Sequence, residues 1–89
     1  MKAIITVIGK DTVGILAKVS DACAKAHVNI VEVTQSVLQD MFAMIMLVEI
    51  ESLTVPFASF ADAMKKLGET KGLEIHAMHE DIFNTMHRV

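Results

Sequence analysis

From Lys2 to Ile8 the chain is apolar on both strand faces and rich in β-branched residues, and the run stops at Gly9. This pattern predicts a central strand. Ile15, Leu16, Val19, Ala22, Cys23 and Ala26 then recur at the three-and-four spacing of one helix face, with Lys18, Asp21 and Lys25 on the other. That helix opens near Val13 or Gly14, where Asp11 is placed to cap free amides or to favour the positive helix end. Val28 to Gln39 alternates as a second strand. Ile30, Glu32, Thr34 and Ser36 form a mixed face, as suits an edge, and Val31, Val33, Gln35 and Val37 form a mostly apolar face that predicts burial. After a turn at Asp40-Met41, Phe42 to Glu51 reads as a third strand, with two apolar faces that both need cover. Thr54 is the N-cap candidate of a second helix, with Pro56 in its first turn and Phe57, Phe60, Ala63, Met64 and Leu67 as its stripe. Gly68 or Gly72 ends it. Leu73 to Met78 predicts a fourth strand, and Ile82, Phe83 and Met86 predict a short terminal helix packed on the domain or on a neighbour.

The order β-α-β-β-α-β predicts an α+β fold, the ferredoxin-like sandwich. Two right-handed crossovers around a central hairpin give a four-stranded antiparallel sheet in the order 4-1-3-2, with both helices on one face. Residues 1–79 form this core and residues 80–88 a C-terminal helix, all within one domain over 1–89, because a chain of 89 residues supports one core.

Composition sharpens the picture in two respects. The chain is 53% apolar and 21% charged, which is too hydrophobic for disorder and leaves few charges to coat a surface; apolar surface covered by a second chain is the expectation. The net charge is −3 with the signs interspersed, so the basic stripe of a nucleic-acid partner is missing. A single cysteine rules out an intrachain disulfide scaffold and suits a reducing compartment. The longest apolar run, Met41 to Val48, is too short to span a bilayer, and no leader precedes the first strand. A cytoplasmic protein with no membrane partner is expected.

Candidate chemistry is sparse. Gly9 to Gly14 has neither the spacing of a Walker loop nor that of a dinucleotide fingerprint, and the chain has no Trp or Tyr to stack on bases. His76 and His79 fall on opposite faces of a strand and share no metal there. Met41, Met44 and Met46 read as packing residues, and Cys23 as a buried, inert thiol. No nucleophile–base set or paired carboxylates can be assembled, so neither an enzyme nor a cofactor or metal binder is expected. What stands out is the polar loop Gly9-Lys10-Asp11-Thr12-Val13-Gly14-Ile15, two glycines around a turn into a helix N-terminus, where backbone amides meet anions.

That loop with Leu16, followed by Ala26-His27-Val28-Asn29-Ile30, resembles the signature of the ACT domain family. There Asp-x-Pro-Gly-(Ile/Val)-(Leu/Val) precedes the helix and Gly-(Val/Ile)-Asn-Ile opens the second strand. The opening, Gln35, the Met-rich third strand and the closing Ile82-Phe83-Asn84-Thr85-Met86-His87 resemble the stand-alone UPF0237 proteins of that family. The resemblance implies a non-catalytic regulatory module, a homodimer binding an amino acid or similar small metabolite between the first loop of one subunit and the second strand of its neighbour. It implies Lys10, Asp11, Thr12, Val13, Gly14 and Ile15 on one side of the ligand and Asn29 and Ile30 on the other. Val13 stands where proline is common, and Gly9 where serine-binding members place a histidine. The alternative is a protein-interaction subunit, docking on an enzyme or transporter with no small-molecule ligand. Side-by-side pairing and face-to-face stacking of two sheets both fit the pattern.

Overall fold

The structure, a computed structural model, describes residues 1–10 and 14–86. Strand β1 (Lys2–Gly9) leads to helix α1 (Ile15–Lys25), then to strands β2 (Asn29–Leu38) and β3 (Met41–Glu49). Helix α2 (Phe57–Lys71), strand β4 (Glu74–His79) and the short helix α3 (Glu80–Met86) complete the chain. The sheet order is β2-β3-β1-β4 with every neighbouring pair antiparallel, the expected order read from the other edge.

One core lies between the sheet and the two long helices. Ala3, Ile5 and Val7 of β1, Met44, Met46 and Val48 of β3 and Ile75 of β4 meet Ile15, Val19 and Cys23 of α1 and Phe60 and Met64 of α2. The central strands β1 and β3 are those whose sequence is apolar on both faces, as their two-sided environment requires. On the outer face Ile4 is only 6% exposed, and Ile4, Leu47, Glu80 and Asn84 line one groove, so α3 lies across that side of the sheet. Ile8, Met41 and Ile45 remain exposed there, beyond its reach.

The two halves end their helices alike. The Val28 amide donates to the Cys23 carbonyl at 2.8 Å and His27 to Ala24 at 3.1 Å, while Leu73 donates to Gly68 at 2.8 Å and Gly72 to Glu69 at 3.4 Å. Both are Schellman closures, with a left-handed residue followed by a buried apolar one. In α2 that residue is Gly72 at φ 69°, and in α1 it is His27 at φ 61°, a position a side chain occupies at a cost. Gly72 therefore ends α2. Gly68 lies inside the helix, and it is glycine because a Cβ there would sit 2.7 Å from the Leu73 carbonyl oxygen and 2.9 Å from Ile75 Cγ1.

Three local expectations shift. The hairpin turns on Gln39-Asp40, with Gln39 at φ 57°, and β3 starts at Met41. The N-cap of α2 is Pro56, while Thr54 donates to the Ala26 carbonyl and ties the loop to α1. Most telling, Val33, Gln35 and Val37 face the helix layer but are exposed, because α1 and α2 bury their apolar residues against β1, β3 and β4 and leave the edge strand largely uncovered. The register passes from Ile30↔Val48 to Glu32↔Leu47, so Val31 is an extra, bulged residue.

Candidate functional site

The first loop leaves the sheet at Gly9, beside Leu73. A Cβ on Gly9 would penetrate Leu73 Cδ2 and stand 3.2 Å from its Cγ, so this position is glycine because the residue closing α2 fills the space. No larger side chain fits there while Leu73 keeps its place. Lys10 is exposed and pairs with Asp40 at the hairpin tip, Nζ to Oδ2 3.4 Å, a contact worth only a few tenths of a kcal/mol in water. Asp11, Thr12 and Val13, named above as ligand residues, lie outside the described residues.

Gly14 is the N-cap of α1 at φ 73°, a left-handed conformation that favours glycine, and its carbonyl accepts from Lys18 at 3.1 Å. A Cβ added there would meet nothing within 4 Å, so the space beside it is open. Among the described residues no side chain caps the helix at Gly14, and the first turn carries no acidic residue. Its amides and the positive helix end thus meet no acidic side chain of that first turn. Ile15 is 3% exposed and belongs to the core, so only its backbone is available to a ligand.

Asn29 and Ile30 stand elsewhere. Lys2, Glu49 and Asn29 share one level of the sheet, whereas Gly9, Phe42 and Val37 share another. The seven steps from Lys2 to Gly9 span about 23 Å of extended strand. Within one chain the structure therefore separates the two halves of the candidate site to opposite ends of the sheet. Asn29 is exposed and Ile30 half-buried, both on β2, whose other side borders no strand among the described residues.

Other chemistry is quiet. Cys23 is fully buried, and desolvation pushes its thiol up from 9.0 to about 11, so the thiolate is scarce at neutral pH. His79 stacks on Phe57 with ring centroids 4.3 Å apart. Among the described residues no three His, Cys, Asp or Glu groups are placed to hold a metal, and no helix is long and apolar enough to cross a membrane. The exposure of Leu16 is one feature the helical stripe concealed. It sits one residue off the 15-19-23 row, and that phase difference is the only signal the sequence carries for it.

The ACT domain profile matches residues 2–78. The chain belongs to the ACT domain family. A UPF0237 protein of Methanocaldococcus jannaschii is 40% identical over 88 residues, covering 99% of this chain and 98% of that one. A UPF0237 protein of Clostridium perfringens is 42% identical over 89 residues, the full length of both. Among solved structures, an ACT domain protein from Streptococcus pneumoniae superposes with a TM-score of 0.81 at 36% identity, covering 93% of each chain. A formyltetrahydrofolate deformylase from Pseudomonas syringae shares the fold at TM-score 0.76 and 22% identity, covering 88% of this chain and 27% of that one. The ACT fold thus occurs here in UPF0237 form, at the length of its relatives.

Proposed function

We propose that this ACT protein is a non-catalytic regulatory module that works as a homodimer and binds an amino acid or similar small metabolite between its subunits. The observation that carries this reading is the separation of Lys10, Gly14 and Ile15 from Asn29 and Ile30 by the length of the sheet. One chain cannot close a ligand between them. Two chains paired antiparallel along β2 can, because the two-fold axis brings the start of one β2 to the level of the other's Gly9–Lys10 end. Side-by-side pairing also gives the free edge of a ten-residue strand its missing hydrogen-bond partners, and no proline within Asn29–Leu38 opposes it. In that arrangement the amides near Gly14 and the positive end of α1 receive a carboxylate, and Asn29 of the second copy donates and accepts from across the axis.

Calorimetric titration of the twenty amino acids into protein shown to be dimeric by sedimentation tests this directly. Heat of binding for at least one is expected, and it should vanish in Asn29→Ala. Uniform silence from an intact dimer refutes the ligand, and a monomer at tens of micromolar refutes the arrangement. The exposed outer patch of Ile8, Met41 and Ile45 favours a second reading, docking on an enzyme or transporter. Under that reading Ile45→Glu abolishes co-purification of a protein partner and no amino acid binds.

A further inference from the structure

We infer that the seam between α1 and α2 is a second binding site, for an aliphatic monoanion such as a medium-chain carboxylate. It is separate from the intersubunit site and does not rest on it. Where the two helices face each other they carry small residues, Ala22 and Ala26 on α1 and Ser59 and Ala63 on α2. Small side chains at a seam allow helices to approach closely. Here the two backbones hardly come within 8 Å of each other, and the seam stays open as a trough of about 270 Å³. Its floor is Phe60 and Met64, 3% and 1% exposed. Thr54 and Val55 close one end, where Thr54 is tied to the Ala26 carbonyl. A further hollow of about 310 Å³ shares Ala22, Lys25 and Ala63 with the trough and carries it on to Lys18 and Leu67 at the other end. Small residues facing a wide gap leave carbon on both walls that this chain does not cover.

Dimensions and charge select the occupant. From Lys18 to Lys25 helix α1 rises about 11 Å, so a partner's helix, about 10–12 Å across with its side chains, is as wide as the trough is long. A hydrocarbon chain is slender enough, and about eight to ten carbons span that length at ~1.5 Å per bond less the zigzag. The charges along the trough are Lys18, Asp21 and Lys25. Asp21 Oδ2 holds Lys25 Nζ at 3.0 Å, which leaves the Lys18 ammonium without an ion-pair partner among the described residues. A carboxylate at that end meets a free cation while its tail runs over Ala22 and Ala63 toward Val55. A cationic head group meets an aspartate that Lys25 already neutralises. Pairing of two copies along β2 uses the lateral N–H and C=O groups of that strand and leaves the seam accessible.

The test is calorimetry on the full chain with hexanoate, octanoate and decanoate, and with decyltrimethylammonium as the cationic counterpart. It is repeated on Ala63→Leu, Ser59→Leu and Lys18→Glu, all at exposed positions. Decanoate should bind at least about five-fold tighter than octanoate, a part of the ~4-fold available for each of two buried methylenes. Ala63→Leu and Ser59→Leu fill the trough from the α2 wall, and each should weaken decanoate at least about ten-fold with an unchanged circular dichroism spectrum. Lys18→Glu should weaken decanoate several-fold and narrow its preference over the ammonium. Silence from millimolar decanoate, affinity independent of chain length, or tighter binding of the cation overturns the inference. So does wild-type affinity in either folded leucine variant, because decanoate then sits elsewhere.

Discussion

Gly9→Ala is the substitution that most directly tests how the loop is anchored. The residue ends β1 in extended backbone, where alanine is ordinarily favoured over glycine by about 0.5–1 kcal/mol. Here the added methyl would overlap Leu73 Cδ2, with Leu73 Cγ at 3.2 Å and Cβ at 3.4 Å. Leu73 is 5% exposed and its backbone is anchored by the amide hydrogen bond to the Gly68 carbonyl, so relief has to come from rotating a packed side chain. Overpacking of this kind costs about 1–3 kcal/mol, more than the backbone gain. Urea unfolding at fixed protomer concentration should report a net loss of about 1–2 kcal/mol, or roughly 4–8 °C in Tm per kcal/mol. The decisive control is the cycle with Leu73→Ala. That change alone costs about 2–5 kcal/mol, and in its background Gly9→Ala should become neutral or stabilising, giving a coupling of about 1–3 kcal/mol. A Gly9→Ala protein as stable as the parent, or additivity in the cycle, refutes the packing explanation.

His27→Gly relieves a side chain from φ 61° at a Schellman position, and should stabilise by about 0.5–1 kcal/mol in the same urea assay; Gly72→Ala, at φ 69°, should destabilise by at least that much. Cys23, its thiol held at about 11 by burial, lends stability that is fully present below about pH 9 and falls as pH rises toward 11, because the unfolded chain ionises first. The loss is of order 2 kcal/mol, and Cys23→Ala should flatten it in a denaturation series from pH 8 to 11. The double variant Val33→Lys with Val37→Lys places like charges across the proposed two-fold axis; sedimentation should show a monomer while circular dichroism keeps its helix and strand signal.

How far the sequence carries depends on whether local pattern or layer geometry decides a position. Strands β1 and β3 are legible because burial on both faces makes them apolar throughout, and the sheet order then follows from crossover handedness. The Val33 and Val37 face reads as buried by the same alternation and is not, since alternation reports which side a residue takes and not whether a helix lies over it. The glycines divide along the same line. Gly14 and Gly72 are readable as turn formers, whereas the need for glycine at positions 9 and 68 comes from Leu73 and Ile75, contacts between elements that no local pattern announces. The candidate site shows the same division. A motif supplies residue types near Gly14 and at Asn29, but only the register reveals that they stand at opposite ends of one sheet. Under the proposed dimer the exposed valines and the divided site share one explanation, because an edge strand left uncovered by its own helices is the surface across which a second copy would bring those two ends together.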